Sequence, residues 1–193
     1  MPREFIESLM SVHPFSDAIQ SDFFSRLRIA KVSKGKLLLT QRDVCDKLWY
    51  VKTGLVRGFS STDNANRNSD DITEWFAREK NFFNCTKSFV DQIAANESIE
   101  VLEPSELIYI NRNDLYELYF KYPEVCNVAR LIAERYWIIY KDKLRDLRFR
   151  SAQERIEHFS VQSKDLFNRV PQKHIASYLG ISENYVSKIR TKR

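Results

Sequence analysis

Apolar residues recur at helical spacing towards both ends of the chain and fall into short extended runs through its middle. Residues 4–12 and 16–27 predict two short helices: Ile19, Phe23, Phe24 and Leu27 share one face, and Ser16 suits an N-cap. The runs 36–40, 48–52, 55–60, 72–78, 99–102 and 107–110 are rich in β-branched, aromatic or leucine residues and predict strands. Gly35 and Gly54 punctuate tight turns, and the polar, glycine-free stretch 61–71 predicts a loop at a hairpin tip. Together these runs predict a small antiparallel β-roll or barrel.

Helix resumes at residues 114–122, with Asn113 as its expected cap, and Pro123 suits a helix start because its missing N–H costs little there. From Pro123 to about Leu147 the pattern is that of one long helix with two apolar stripes. Val125, Val128, Ile132 and Ile139 form one; Ala129, Ala133, Tyr136, Tyr140, Leu144 and Leu147 form the other. A solvated helix needs one such stripe. Two stripes fit a helix with one face on its own roll and the other on a second copy, or a central helix buried within a monomer; Arg135 and Asp142 interrupt a strict heptad. The sequence Ser151-Ala-Gln-Glu154 has the form of a capping box and opens a helix expected to run to about Phe167. The predicted class is α+β: a roll with flanking helices over 1–122, a dimerisation helix and hinge over 123–150, and a helical domain over 151–193.

The sharpest local signal lies in residues 172–191. Two helices crossing within one tight turn need a small residue where they touch, and Ala176 supplies it. They need a turn residue that tolerates positive φ, here Gly180. Ile175, Leu179, Ile181, Val186 and Ile189 are spaced to point into the angle between the helices. Pro171 suits the first turn of the first helix and Ser182 the N-cap of the second. This is a helix-turn-helix, a unit whose second helix enters the major groove. Glu183 suits cytosine N4, Asn184 suits adenine, and Lys188 suits guanine or a phosphate, with Ser187 one turn on. Arg190, Lys192 and Arg193 are expected to hold phosphates, as are Gln172 and Lys173 at the first helix N-terminus.

Charge sharpens this picture. The 193 residues are 43% hydrophobic and 30% charged, with a net charge of +5. Beyond Phe167 the basic residues are Arg169, Lys173, Lys188, Arg190, Lys192 and Arg193 against the single acid Glu183, so the whole excess sits in that segment. Its expected partner is double-stranded DNA. The N-terminus lacks a secretory pattern, and the longest strongly apolar run, 136–140, is far short of a span, so a cytoplasmic protein without membrane contact is expected.

Cys45, Cys85 and Cys126 are scattered and form no C-x-x-C pair, which predicts buried free thiols, with a redox-sensing role as the alternative. His13, His158 and His174 show no ligand spacing and are expected in surface or half-buried packing roles. No metal, cofactor or catalytic constellation is indicated: the four glycines form no phosphate-cradling loop or nucleophile elbow, and Asp70-Asp71 fits a solvated loop.

The order of helices, roll, long helix and helix-turn-helix resembles the Crp/Fnr family of transcription regulators over nearly the whole chain. The residues that carry the resemblance are Lys34-Gly35, Leu48-Trp-Tyr-Val-Lys-Thr-Gly54-Leu-Val-Arg57, Ser105-Glu-Leu-Ile-Tyr-Ile110, Ser151-Ala-Gln-Glu-Arg155-Ile and Val170-Pro-Gln-Lys-His-Ile-Ala-Ser-Tyr-Leu-Gly-Ile-Ser182. The resemblance implies a bacterial, homodimeric regulator with a cyclic-nucleotide-binding-like roll, and RNA polymerase and a small effector as partners. It places the effector pocket at Asn84, Cys85, Thr86, Glu97 and Ser98, with Tyr140 and Lys141 on the long helix. The family's ribose-binding acid is replaced at Cys85, and its phosphate-binding cation by the anionic Glu97, so little or no cyclic-nucleotide binding is expected. The family's N-terminal cysteine cluster is missing before Cys45, so no iron–sulfur cluster is expected. The sequence stops three residues past Arg190, so the wing that often follows the recognition helix is expected to be absent, with modest affinity and a shallow salt slope. Three functions stay open: a DNA-binding regulator, a ligand-binding sensor with a vestigial DNA-binding domain, and an enzyme on a roll scaffold.

Overall fold

The computed structural model describes residues 2–61 and 71–191, with side chains up to Ile189. Most of the loop expected at 61–71, with Asp70, lies outside the described residues. So do Lys192, Arg193 and the side chain of Arg190.

Helices α1 (Arg3–Met10) and α2 (Asp17–Arg26) precede the strands. Ser16 caps α2 as its sequence suggests, its Oγ accepting from the Ile19 N–H at 3.4 Å. Among the described residues eight strands follow: β1 (Arg28–Val32), β2 (Leu37–Leu39), β3 (Lys47–Thr53), β4 (Leu55–Ser61), β5 (Asp71–Arg78), β6 (Phe82–Phe83), β7 (Ser98–Val101) and β8 (Ser105–Asn111), with α3 (Thr86–Asp91) between β6 and β7. They form two four-stranded sheets, ordered β1-β8-β3-β6 and β2-β7-β4-β5. The α+β class and the roll are as expected, and each of the six expected strands is present. Antiparallel register sets Leu48 opposite Ile110 and Tyr50 opposite Ile108. Val51, Leu55, Val56, Ile99, Val101, Leu107, Ile108 and Ile110 are wholly buried and make the roll's core.

Three short elements escape the sequence pattern. Strand β1 contains Arg28 and Lys31 and lies at a sheet edge, where one side meets solvent and no alternation of apolar residues is needed. Strand β6 and helix α3, two and six residues long, are too short for a period to show. Gly54 joins β3 to β4 at φ +112°, and a Cβ there would stand 2.0 Å from Ser105 Oγ; both the turn and the close approach exclude a side chain.

The rings of Phe5 in α1 and Phe23 in α2 lie 6.1 Å apart, and Phe5 meets Phe82 and Tyr50 at 5.0 and 5.8 Å, which fastens the N-terminal helices to the roll. The next helix, α4 (Arg112–Lys121), begins slightly earlier than expected. Asn111, not Asn113, holds its cap position, because β8 runs straight into the helix and Arg112 is tied down at once. The Arg112 N–H donates to Asp46 O at 2.8 Å and its Nε to Phe89 O at 2.7 Å.

The long helix is α5 (Pro123–Phe149), started by Pro123 as expected. Val125 and Val128 are buried, whereas Trp137, Ile138, Ile139 and Tyr140 are exposed. Then come α6 (Ala152–Gln162), α7 (Lys164–Arg169), α8 (Gln172–Leu179) and α9 (Glu183–Thr191). The single helix expected to reach Phe167 is broken at Ser163, whose φ −124° and ψ 44° leave the helical region. Eight residues along a straight helix would part Phe159 and Phe167 by about 12 Å; the break brings their rings to 6.5 Å. Cys45 and Cys85 are buried as expected, but Cys126 is exposed, since it lies off the Val125–Val128 face of α5. His174 is buried on the inner face of α8, a deeper position than the surface or half-buried role expected of it. No described helix is long and apolar enough to cross a membrane.

The chain divides into two compact units, Met1–Gly58 with Phe76–Arg135, and Phe59–Trp75 with Tyr136–Arg193. Within the first, Asp22 gathers three donors: Arg26 Nε at 2.9 Å, Lys121 Nζ at 2.7 Å and Tyr122 Oη at 3.2 Å. Hydrogen bonds from Lys121 and Arg26 hold its carboxyl down at about 2, against an ordinary 3.8. A depressed native value stabilises the fold above the ordinary value and loses that effect as pH falls towards the native one. Asp22→Asn is therefore expected to flatten the fall in urea stability between pH 4 and pH 2, leaving a chain less stable at pH 7 than the parent.

Candidate nucleic-acid interface

The second unit is built around α6–α9. Its capping box is complete: the Glu154 N–H donates to Ser151 Oγ at 3.3 Å, and the Ser151 N–H donates to Glu154 Oε2 at 2.7 Å. The backbone N–H of Ser151 holds the Glu154 carboxyl below its usual range. Ile156, Phe159, Phe167 and Val170 are buried and support the two following helices.

Pro171 occupies the N-cap position of α8, with φ −56° and ψ 143°, and not its first turn. Its carbonyl accepts from His174 N–H at 3.0 Å, so the proline precedes the first helical residue. Gly180 ends α8 in the left-handed region at φ 63°, and the Ile181 N–H reaches back to Ala176 O at 3.0 Å. Arg155 Nη2 donates to Gly180 O at 3.2 Å, so α6 also grips the turn. Ile175, Ala176, Leu179 and Val186 are buried in the angle between α8 and α9, with Ile181 and Ile189 half-buried at its margin. This is the helix-turn-helix that the spacing predicts.

Burying Val186 decides which face of α9 is presented. Ser182, Glu183, Asn184, Ser187 and Lys188 are all exposed, and Asn184, Ser187 and Lys188 share one face at helical spacing. Lys173 is exposed and Gln172 half-buried at the start of α8, where unpaired backbone N–H groups favour an anion. Polar groups of both α8 and α9 are thus open to solvent. Ser182 precedes the first residue of α9, the cap position expected for it.

The residues expected to form an effector pocket divide between the units. In the first, Cys85 stands at the N-cap of α3 and Ser98 opens β7. Cys85, Glu97 and Ser98 are buried, and Asn84 Oδ1 accepts from Thr86 Oγ1 at 3.1 Å. Burial, aided by the neighbouring Glu97 carboxylate, pushes the Cys85 thiol up to about 11, so Cys85 and Glu97 are brought together. Ser98 Oγ is occupied by the Gln41 N–H at 2.8 Å. Tyr140 and Lys141 lie in the second unit and are exposed. Among the described residues no group of three or more His, Cys, Asp and Glu side chains could hold a metal ion.

Sequence reasoning missed two groups of the second unit, Lys143 and Ser177. Each reads as a solvated polar residue on a helix, and nothing in the local pattern marks it. Lys143 Nζ lies 4.0 Å from the centre of the Tyr178 ring, and burial pulls its pKa down to about 8. A cleft of about 170 Å³ beside them is lined by Asp142, Asp146, Arg155 and His158 among others, with His158 Nδ1 3.1 Å from Asp146 Oδ2.

No protein-family model matches the chain, and no curated protein matches it by sequence. Solved structures do. FixK2 from Bradyrhizobium japonicum is similar at a TM-score of 0.74 and 14% identity, over 86% of this chain and 83% of that one. A protein described as a Crp/Fnr-family transcriptional regulator, from Eubacterium rectale, is similar at 0.72 and 15%, over 92% and 83%. CLP of Xanthomonas campestris, described as a c-di-GMP responsive global regulator, is similar at 0.68 and 14%, over 92% and 91%. The chain has the fold of these regulators: a cyclic-nucleotide-binding-like roll, a long helix and a helix-turn-helix.

A Cβ at Gly180 would meet no atom within 4 Å, so only the backbone conformation there resists a side chain. Gly180→Ala is expected to cost about 1–2 kcal/mol, the left-handed penalty of an L-residue, and Gly180→Val more, read from urea unfolding of the full chain.

Proposed function

We propose that this chain is a homodimeric, sequence-specific DNA-binding transcription regulator of the Crp/Fnr type. The observation that carries this reading is the exposed polar face of α9, with Glu183, Asn184, Ser187 and Lys188 held outward by the burial of Val186. Such a face matches base edges in a major groove, while Lys173, Gln172 and the basic residues after Ser187 match phosphates. In functional terms residues 1–122 are the sensing roll, 123–150 the dimerisation helix and hinge, and 151–193 the DNA-reading domain.

A second copy of the chain is the partner proposed for α5. Trp137, Ile138, Ile139 and Tyr140 are 61, 51, 63 and 58% exposed, and Leu144 and Leu147 continue the face of Trp137 and Tyr140 at helical spacing. A continuous exposed apolar surface marks an interaction site. A two-fold pair of recognition helices about 34 Å apart would read a near-palindromic operator. The buried Glu97 carboxyl beside Cys85, in place of a cation, argues against a cyclic nucleotide as the signal. RNA polymerase would be the partner at a promoter, and an effector of another chemistry would act through the roll, with Lys141 a candidate anion contact.

Selection from random duplex DNA by the purified protein, without effector, is expected to recover a two-fold symmetric site. Lys188→Ala should then weaken that site by about 1–3 kcal/mol and relax specificity at one base pair, with Arg190→Ala acting more evenly across sequences. Unchanged binding in both variants rejects the reading; tight small-molecule binding with only salt-sensitive DNA affinity would favour a sensor with a vestigial reader. Ile139→Glu is expected to convert a sedimenting dimer into a monomer, whereas an unaltered sedimentation coefficient would exclude this face of α5 as the contact.

A further inference from the structure

Strand β5 lies at the edge of its sheet, in the order β2-β7-β4-β5. An edge strand carries backbone N–H and C=O groups that its own sheet leaves unpaired. Residues two apart point the same way along a strand, and Asp71 and Thr73 are such a pair. Both are engaged by one side chain of α8. Ser177 Oγ donates to Asp71 O at 2.9 Å and accepts from the Thr73 N–H at 2.8 Å. The hydroxyl stands in for a neighbouring strand, and Thr73 is 2% exposed beneath it.

The next residue of the strand is held from a different helix. Lys143 Nζ, on α5, donates to Glu74 O and packs on the ring of Tyr178, the residue after Ser177. Two helices therefore grip one short stretch of β5 by its backbone, and all the groups concerned lie within the second compact unit. The strand itself continues through Phe76–Arg78 into the first unit.

We propose that Ser177 and Lys143 form a latch that holds the first half of β5 to the helix-turn-helix within the second unit. Its two halves differ in kind. The Ser177 half is a pair of neutral hydrogen bonds satisfied on both sides. The Lys143 half sets the ammonium of a half-buried lysine against a carbonyl and a ring, with the Glu74 carboxylate as the charge that favours it. Burial lowers the lysine's pKa, so the released lysine binds its proton more tightly than the latched one, and the charge works against closure at neutral pH. Asp142, Asp146 and His158 are the other charged or titratable groups that line the cleft beside Lys143 and Tyr178, together with Arg155. A latch held by a satisfied hydroxyl, with a partly desolvated charge in its other half, is poised to open.

The latch as a regulatory device rests on the DNA-reading function proposed above, but its existence is tested without DNA. Amide hydrogen exchange is followed by mass spectrometry on the full chain at one fixed pH. Ser177→Ala is expected to raise exchange about tenfold in the peptides covering 71–75 and 172–179, since two hydrogen bonds of ordinary strength are lost. Exchange over 152–162 should stay as in the parent, which shows that the unit remains folded. Lys143→Met, which keeps the packing on Tyr178 and removes the charge, should slow exchange in the same two segments. Opposite signs from the two variants are what a latch with an internal opposing charge requires. Parent-like exchange over 71–75 in Ser177→Ala overturns the proposal, as does acceleration by Lys143→Met equal to that of Ser177→Ala. DNA affinity, measured separately on the selected site, tells failure of the reader from failure of the latch.

Discussion

The proposed interface hangs on the left-handed turn at Gly180. With φ at 63° the chain reverses in two residues, and α8 and α9 come close enough for Ala176 to be buried between them. That contact places Val186 inside, and a helix that buries Val186 has no choice about where Asn184, Ser187 and Lys188 go. Specificity for bases demands a rigid frame, because a side chain misplaced by an ångström loses a bidentate contact. Arg155 Nη2 on Gly180 O and the capping box at Ser151 add to that rigidity from the preceding helix.

The roll meets a different demand. Its core comes from wholly buried aliphatic residues of both sheets, and the aromatic cluster around Phe5 anchors the first two helices to it. At Glu97, Cys85 and Ser98, three of the residues expected from the sequence to line an effector pocket, polar groups are already engaged with one another or with backbone. A buried carboxylate and a thiol raised to about 11 make poor company for a phosphate. Sensing by this roll, in the proposed regulator, would use a signal other than a phosphate set beside Glu97, or act through elements such as β5 without a ligand at that place.

The long helix α5 joins these demands. Val125 and Val128 bury its beginning, while its later turns carry aromatic and aliphatic side chains in the open. Solvent exposure of Trp137 and its neighbours is costly, and that cost is the physical basis for the second copy proposed on this part of α5. Lys143 lies on the same helix and takes no part in that apolar face; it turns to the Glu74 carbonyl and the Tyr178 ring. One helix thus serves a proposed dimer contact and a contact with an edge strand, with different residues of the same turns.

Local rules of sequence account for the fold class, the strands with apolar runs, the caps at Ser16 and Ser151, and the helix-turn-helix down to its glycine. Each is a matter of period, turn geometry or backbone hydrogen bonding, and such rules act within a few residues. Other features arose only from packing. Packing broke the helix at Ser163 so that Phe167 could meet Phe159, moved the start of α4 to Arg112 by anchoring that side chain to α3, and left Cys126 in solvent. It also paired Ser177 with Asp71 and Thr73, residues about a hundred positions earlier. No local period encodes such a pairing, because an unpaired edge finds its partner only once the chain has folded back upon it.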